Sequence, residues 1–71
     1  NEKAAKVYND FLLEHPKDSA VLEHLAYLYY RKVKDYDKAL DGFNKLLKYY
    51  PNSKKAKEYK GMVKLIEKQK E

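Results

Sequence analysis

The sequence predicts an all-α fold in which four helices pair as antiparallel hairpins and stack as an α-solenoid. Glycine and proline, which interrupt helices, number only two each in 71 residues. Apolar residues recur every three or four positions along four segments. Pro16 and Pro51 lie 35 residues apart, and the segments that precede them match closely. A repeat of this period is typical of stacked helical pairs, so we expect a single domain over residues 1–71.

The first hairpin is predicted from two helical segments and a short connection. The first helix covers residues 2–15, and Pro16 ends it because proline lacks the backbone N–H that a helix interior needs. The second helix covers residues 19–33. Asp18 or Ser19 can cap its start, since their side-chain oxygens accept hydrogen bonds from free backbone N–H groups of the first turn. So short a connection makes the two helices antiparallel.

The second hairpin is predicted from the same signals. The third helix covers residues 36–50, with Asp35 as its candidate cap, and a proline again follows its end. The fourth helix covers residues 53–70, with Asn52 or Ser53 as its candidate cap. All three connections are short, so each helix is expected to lie beside the one before it.

The repeat is visible when the first helix is aligned with the third. Identical residues recur in five pairs: Lys3 and Lys38, Ala4 and Ala39, Asn9 and Asn44, Leu12 and Leu47, Pro16 and Pro51. Large apolar residues also correspond, because Tyr8 falls on Phe43 and Phe11 falls on Leu46. The first and third helices are therefore expected to occupy equivalent places in successive repeats.

Residues 19–51 resemble the tetratricopeptide repeat, a pair of antiparallel helices that usually spans about 34 residues. The resemblance is carried by Leu22, Leu25, Ala26 and Tyr29 in the first helix of the pair, by Tyr36, Ala39 and Phe43 in the second, and by the closing Pro51. One extra residue, in the turn from Val33 to Asp35, accounts for the period of 35. The resemblance extends over essentially the whole chain. Residues 1–16 are then the second helix of an incomplete repeat, and residues 19–51 are one complete repeat.

Small residues mark the predicted contact between the second and third helices. Ala26 stands where the family often has glycine, and Ala39 faces it from the next helix. We expect the two helix backbones to cross closely at these alanines. The space beyond such a crossing widens, and the large side chain of Phe43 is expected to fill it.

The fourth helix departs from the repeat in a way that predicts a terminal cap. At the same offset, the packing residues of the second helix are replaced by Lys57, Lys60, Gly61 and Lys64. Apolar residues lie instead at Ala56, Tyr59, Met62, Val63 and Ile66. This helix can pack back on the preceding repeat but presents a polar face to any further one. We therefore predict that residues 53–70 form the C-terminal cap of a repeat array.

The first helix has the opposite character, because its expected neighbour is missing. Val7, Tyr8 and Phe11 would pack against an upstream helix in a complete repeat. The chain begins at Asn1 rather than methionine, which indicates a fragment or a processed product. We favour a longer parent protein that supplies the upstream repeat, since arrays usually need about three or more units. Self-association through this open N-terminal helix is the alternative.

The resemblance implies a non-catalytic scaffold that binds a peptide or helix of a partner protein on its concave face, which the first helices of the pairs line. Once the core positions of the second helix are assigned, five residues remain on its other face: Glu23, Tyr27, Tyr30, Arg31 and Lys34. Tyrosine and arginine dominate interface hot spots, so we predict a partner-binding patch here. The alternative is that Tyr27, Tyr30 or both pack against the fourth helix.

Two further comparisons within the family bear on the partner. Some members grip a C-terminal carboxylate through a lysine and an asparagine on this face. Glu23 and Tyr27 stand at the corresponding positions, so this repeat lacks that pair. The run FNKLLKYYPNSKKAKEY is similar to repeats of bacterial envelope-assembly proteins, while the four-helix end with its basic tail is similar to mitochondrial fission adaptors.

The composition argues against catalytic and metal-binding functions. There is no cysteine, which excludes disulfides and thiolate metal sites. His15 and His24 are the only histidines, and their spacing does not suit a metal site. No constellation of nucleophile and general base is expected to converge in a pocket. We therefore predict neither an enzyme nor a bound cofactor or metal.

Charge and hydropathy restrict the other classes of partner. The formal net charge is +5, but lysine supplies fifteen of the sixteen basic residues and the charges are interspersed. Nucleic-acid-binding domains usually present a clustered basic stripe, so nucleic acid is a less favoured partner. No apolar run approaches the roughly 20 residues of a membrane-spanning helix. Contact with a membrane is expected only through parts of the protein outside this chain.

Overall fold

The computed structural model describes residues 2–70. Four α-helices lie in this range: α1 (Glu2–Glu14), α2 (Ser19–Leu28), α3 (Tyr36–Tyr49) and α4 (Ala56–Lys70). A π-helical turn, Tyr29–Val33, continues α2, and the described range contains no strand. Each helix packs against the next in chain order. The extents of 29 × 27 × 13 Å describe a slab about one helix thick. The predicted all-α class with four helices is confirmed.

Aspartate caps begin two of the helices as the sequence predicts. The side chain of Asp18 accepts a hydrogen bond from the backbone N–H of Val21 at 3.1 Å, at the start of α2. The side chain of Asp35 accepts one from the backbone N–H of Lys38, also at 3.1 Å, at the start of α3. Each bond satisfies a backbone donor that has no partner inside the helix.

The predicted start of the fourth helix is wrong by three residues. Ser53 lies in a turn, where its hydroxyl accepts a hydrogen bond from the backbone N–H of Lys55 at 3.2 Å. The backbone N–H of Ala56 donates to the carbonyl of Ser53 at 3.0 Å, and the helix begins there. The serine side chain thus stabilises a local turn instead of capping a helix that starts beside it.

The π-helical turn changes where the extra residue of the repeat is accommodated. The carbonyl of Tyr29 accepts hydrogen bonds from the backbone N–H groups of both Lys34 and Asp35, the latter at 2.9 Å. Bonds of this span place an additional residue in the turn. The sequence places that residue in the connection from Val33 to Asp35, but the widening already begins at Tyr29. Lys34 then ends the helix in the left-handed region, with φ 61° and ψ 34°.

The core lies where α2, α3 and α4 meet, with one contribution from α1. Its buried side chains are Ala5, Leu22, Leu25, Ala26, Tyr29, Ala39, Phe43, Leu46, Tyr59 and Ile66. Ala26, Ala39 and Phe43 are each 0% exposed, which agrees with the predicted close crossing and the large side chain beside it. Gly42, which the sequence analysis did not single out, is also buried at this crossing.

The two faces of α4 are divided as the repeat offset predicts. Ala56, Tyr59 and Ile66 are buried against the rest of the fold, and Met62 and Val63 are half-buried. The residues that replace the packing positions of α2 are all exposed: Lys57, Lys60, Gly61 and Lys64. The helix therefore packs back on α3 and presents a lysine-rich outer face. Its role as the end of a repeat array stays a prediction.

Candidate functional site

A surface groove of about 530 Å³ lies along α2, and we call it the α2 groove. Three parts of the fold form its walls: α1, the exposed side of α2 with its π-helical turn, and the residue just before α4. The lining residues are Ala4, Tyr8, Glu23, His24, Tyr27, Leu28, Arg31, Lys32 and Lys55. The groove therefore combines apolar and aromatic side chains with several charged groups.

Aromatic contacts hold the walls of the α2 groove in place. The ring of Tyr27 meets the buried ring of Phe43 edge-on, with centroids 5.1 Å apart. The ring of Tyr8, on α1, lies edge-on to His24 at 6.1 Å. Edge-to-face pairs of this kind add to the stability gained from burial. The side chain of Tyr27 thus packs partly against the core and also lines the groove, so it is neither fully exposed nor fully buried.

The phenol of Tyr27 stays protonated over a wider pH range than an exposed tyrosine. Burial is the main cause that raises its pKa, and the carboxylates of Glu58 and Glu23 raise it further. The guanidinium of Arg31 acts in the opposite direction. The phenol is therefore protonated at neutral pH.

Arg31 lies against the aromatic ring of Tyr27. Its guanidinium carbon is 4.8 Å from the ring centroid, the geometry of a cation–π contact. Arg31 is exposed, and none of the ion pairs among the described residues includes it. The guanidinium carries five N–H donors, and this contact orients it beside the groove.

Glu23 and Lys55 form an ion pair at the other end of the α2 groove. The ammonium nitrogen of Lys55 lies 3.0 and 3.2 Å from the two carboxylate oxygens of Glu23. This hydrogen bond raises the pKa of Lys55. The pair joins α2 to the segment that precedes α4. The negative charge of Glu23 is therefore already matched within the fold.

The structure brings together three of the five residues predicted as the partner-binding patch. Glu23, Tyr27 and Arg31 line the α2 groove, whereas Tyr30 and Lys34 do not. The ring of Tyr30 is half-buried and lies 5.8 Å from the ring of Tyr36 on the α3 side. Lys34 lies beyond the widened turn, which removes it from the α-helical register on which the predicted face was based.

Several lining residues were not part of the predicted patch. These residues are Ala4, Tyr8, His24, Leu28, Lys32 and Lys55. Tyr8 was assigned to the open face of the first helix, and that assignment could have pointed to the groove because α1 packs directly on α2. No comparable sequence pattern indicated Lys55, because it is 32 residues from Glu23 and contacts it only after the later helices have packed.

A second apolar surface lies on α1 beside the groove. Val7 is 65% exposed and Phe11 is 43% exposed, four residues apart on the same side of the helix. The ring of Phe11 lies 4.7 Å from that of His15. We call Val7 and Phe11 the open α1 face. It occupies the position where the sequence predicts a missing neighbour.

Metal binding and membrane crossing each place further requirements on residues 2–70. In that range no group of three or more histidine, aspartate or glutamate side chains is arranged to hold a metal ion. None of the described helices combines the length and the apolar character that crossing a membrane requires.

The segment that forms most of the α2 groove matches a known family model. Residues 20–53 match the family model of the tetratricopeptide repeat. Residues 20–53 are therefore similar to a tetratricopeptide repeat. The matched segment is just under half of the chain and includes α3, the π-helical turn and nearly all of α2. A search of curated proteins and a search of solved structures each found no match.

The tetratricopeptide repeat gives the groove a functional context. Repeats of this family generally mediate protein–protein interactions and typically act as non-catalytic scaffolds. Most residues that line the α2 groove lie on the first helix of the repeat or on its π-helical continuation. The groove is thus formed mainly by the segment that matches the repeat model, and α1 and Lys55 complete it.

Proposed function

We propose that this chain is a non-catalytic interaction module that binds a peptide or helical segment of a partner protein in the α2 groove. One observation carries the proposal. The guanidinium carbon of Arg31 lies 4.8 Å from the ring centroid of Tyr27, and no ion pair among the described residues includes this arginine. An arginine and a tyrosine fixed together beside apolar side chains have the composition of an interface hot spot.

The shape and lining of the groove support the same proposal. Its volume of about 530 Å³ can receive a few side chains of a bound segment. The side chains of Tyr8 and Leu28 offer apolar contact, while Arg31 offers directional hydrogen bonds. Tyr27 loses little conformational freedom when a partner binds, because Phe43 already holds its ring.

The proposal is tested by selection of displayed random peptides against the folded chain. Wild-type protein should enrich a family of related peptides, and Arg31→Glu should abolish their binding. Lys60→Glu is the matched control, since it makes the same charge change on the exposed outer face of α4. Thermal melts of all variants establish that they are folded. Peptides that bind wild type and Arg31→Glu equally well would exclude the α2 groove as the binding site.

The open α1 face favours a second function, self-association. Val7 and Phe11 leave apolar surface exposed at the place where a repeat array would continue. A second copy that stacks on this face would bury it. Sedimentation equilibrium should then give an apparent mass that rises with concentration, and a Val7→Ser, Phe11→Ser variant should lose that rise. Leu13→Ser is the control, because Leu13 is 82% exposed on a different side of α1. A wild-type protein that stays monomeric at high concentration would refute this function.

A further inference from the structure

The charges of the α2 groove are unevenly matched. Three cationic side chains line it, those of Arg31, Lys32 and Lys55, against the single carboxylate of Glu23. Lys55 and Glu23 satisfy each other, with the ammonium nitrogen 3.0 Å from the nearer oxygen. The ion pairs among the described residues include neither Arg31 nor Lys32. The unmatched positive charge is therefore the part of the groove that a ligand would neutralise.

The unmatched charge is also localised. Arg31 and Lys32 lie in the π-helical turn, whereas Glu23 lies near the start of α2, about 12 Å away at the usual rise of a helix. Glu58 of α4 acts on the phenol of Tyr27 but is not among the residues that line the groove. Among the lining residues, the charges near the start of α2 are matched by the pair of Glu23 and Lys55, and the π-helical turn carries the positive charges of Arg31 and Lys32.

The guanidinium of Arg31 is better suited to bind a single carboxylate than to interact with several distant negative charges. Its guanidinium carbon lies 4.8 Å from the centroid of the Tyr27 ring, and a guanidinium can donate two parallel hydrogen bonds to one carboxylate. Tyr8 and Leu28 line the same groove with apolar surface, and Leu28 lies three residues before Arg31 along the chain. A ligand that fits both features carries a carboxylate beside a large apolar side chain.

We propose that the α2 groove recognises an acidic segment of a partner protein, in which an aspartate or glutamate binds Arg31 while a neighbouring aromatic or large aliphatic side chain packs against Tyr8 and Leu28. This inference rests on the proposed function, since it names the chemistry of the segment that the groove takes. The carboxylate lies at the π-helical end, supported by the charge of Lys32. The apolar side chain lies toward α1.

The test uses an array of capped peptides that differ at one position. Each peptide has an invariant phenylalanine, and its neighbour is glutamate, glutamine or lysine. Wild-type protein should prefer the glutamate peptide over its glutamine counterpart by about tenfold or more, as expected for a charge-assisted hydrogen bond. Arg31→Ala should bind both peptides equally and weakly. Lys60→Ala, on the outer face of α4, should keep the full preference.

The two proposals fail in different ways. Peptides that bind in a manner sensitive to Leu28→Ser, but with equal affinity for glutamate and glutamine, would leave the groove as a binding site and overturn the acidic ligand. A preference for lysine would overturn it as well. Binding that neither Leu28→Ser nor Arg31→Ala reduces would overturn both proposals. Displacement of the glutamate peptide by a thymidine oligonucleotide that binds more tightly, and whose binding Arg31→Ala abolishes, would assign the cationic end to nucleic acid.

Discussion

Gly42 of α3 lies directly against Ala26 of α2. A β-carbon placed on Gly42 would lie 2.8 Å from the β-carbon of Ala26 and 3.3 Å from its α-carbon. Both contacts are shorter than the usual separation of carbon atoms in a packed core. Neither atom of Ala26 can rotate away, because both are fixed to the backbone of α2. The two helices can meet at this distance only while position 42 carries no side chain.

Gly42→Ala should lower the free energy of unfolding by about 1 kcal/mol, because overpacking costs roughly 1–3 kcal/mol and exceeds the gain of about 1 kcal/mol in helix propensity. Gly61→Ala is the matched control. Among the described residues, nothing outside its own helical surroundings lies within 4 Å of a β-carbon there. That variant should gain up to about 1 kcal/mol. Urea unfolding measures both values, and an equal gain in the two variants would show that the crossing tolerates a methyl group.

Ala39→Leu tests the same crossing from a second position. Ala39 is 0% exposed, so three additional carbon atoms must displace neighbouring core side chains. We expect a loss of roughly 1–3 kcal/mol in the free energy of unfolding. Ala20→Leu serves as the comparison, since Ala20 is exposed in the first turn of α2. Two variants that unfold at the same urea concentration would contradict close packing at Ala39.

Lys34→Gly should raise the free energy of unfolding by about 1 kcal/mol, because a residue with a β-carbon loses roughly 1–2 kcal/mol in the left-handed region. The φ of 61° at Lys34 is the only positive value among the described non-glycine residues. Lys32→Gly, two residues earlier in the π-helical turn, should instead be destabilised, since glycine there only adds backbone freedom to the unfolded chain. Thermal melts compare the two variants, and a loss in both would mean that Lys34 is unstrained.

The free energy of unfolding should fall at alkaline pH because Tyr27 and Tyr59 lose their phenolic protons. Burial is the main cause that raises the pKa of Tyr27 and of Tyr59 above that of an exposed phenol. A raised pKa favours the protonated form in the folded state, so this contribution is complete below about pH 10. It is lost as the pH rises further, because the unfolded chain releases these protons first.

The measurement is the free energy of unfolding at a series of pH values on either side of about 10. A Tyr27→Phe, Tyr59→Phe variant should show a shallower alkaline fall than wild type. Deprotonation of lysines that do not interact with Tyr27 or Tyr59 affects both proteins alike. Identical slopes would mean that the two phenols titrate alike in the folded and unfolded chains.

The features that the sequence predicted correctly depend on local patterns. Asp18 and Asp35 cap helices because an aspartate before an apolar-periodic segment can accept from the first free N–H groups. Ala26 and Ala39 are buried at a helix crossing because small residues at core positions permit it. These inferences use residues within a few positions of one another, or one internal repeat.

The features that sequence patterns did not predict depend on competing local interactions or on residues far apart in the sequence. Ser53 can cap a helix or stabilise a turn, and the choice follows from packing that the sequence pattern does not contain. The widened turn after Tyr29 moves Lys34 out of the predicted patch, because an α-helical period was assumed throughout. Lys55 enters the groove only after α4 has packed against α3. Three of the five predicted residues therefore line the α2 groove and two lie outside it, and their role in binding a partner stays a prediction.

The aromatic contacts between the α2 groove and α4 have a spectroscopic consequence. The buried ring of Phe43 touches Tyr27 at a centroid distance of 5.1 Å and Tyr59 at 6.0 Å. The chain has no tryptophan. Its near-ultraviolet circular dichroism therefore comes from tyrosine and phenylalanine alone, and rings held in fixed mutual orientation give strong signals. A peptide that binds against Tyr27 would change the signals of these three rings directly. Binding to the groove can therefore be followed by a circular dichroism titration without a label.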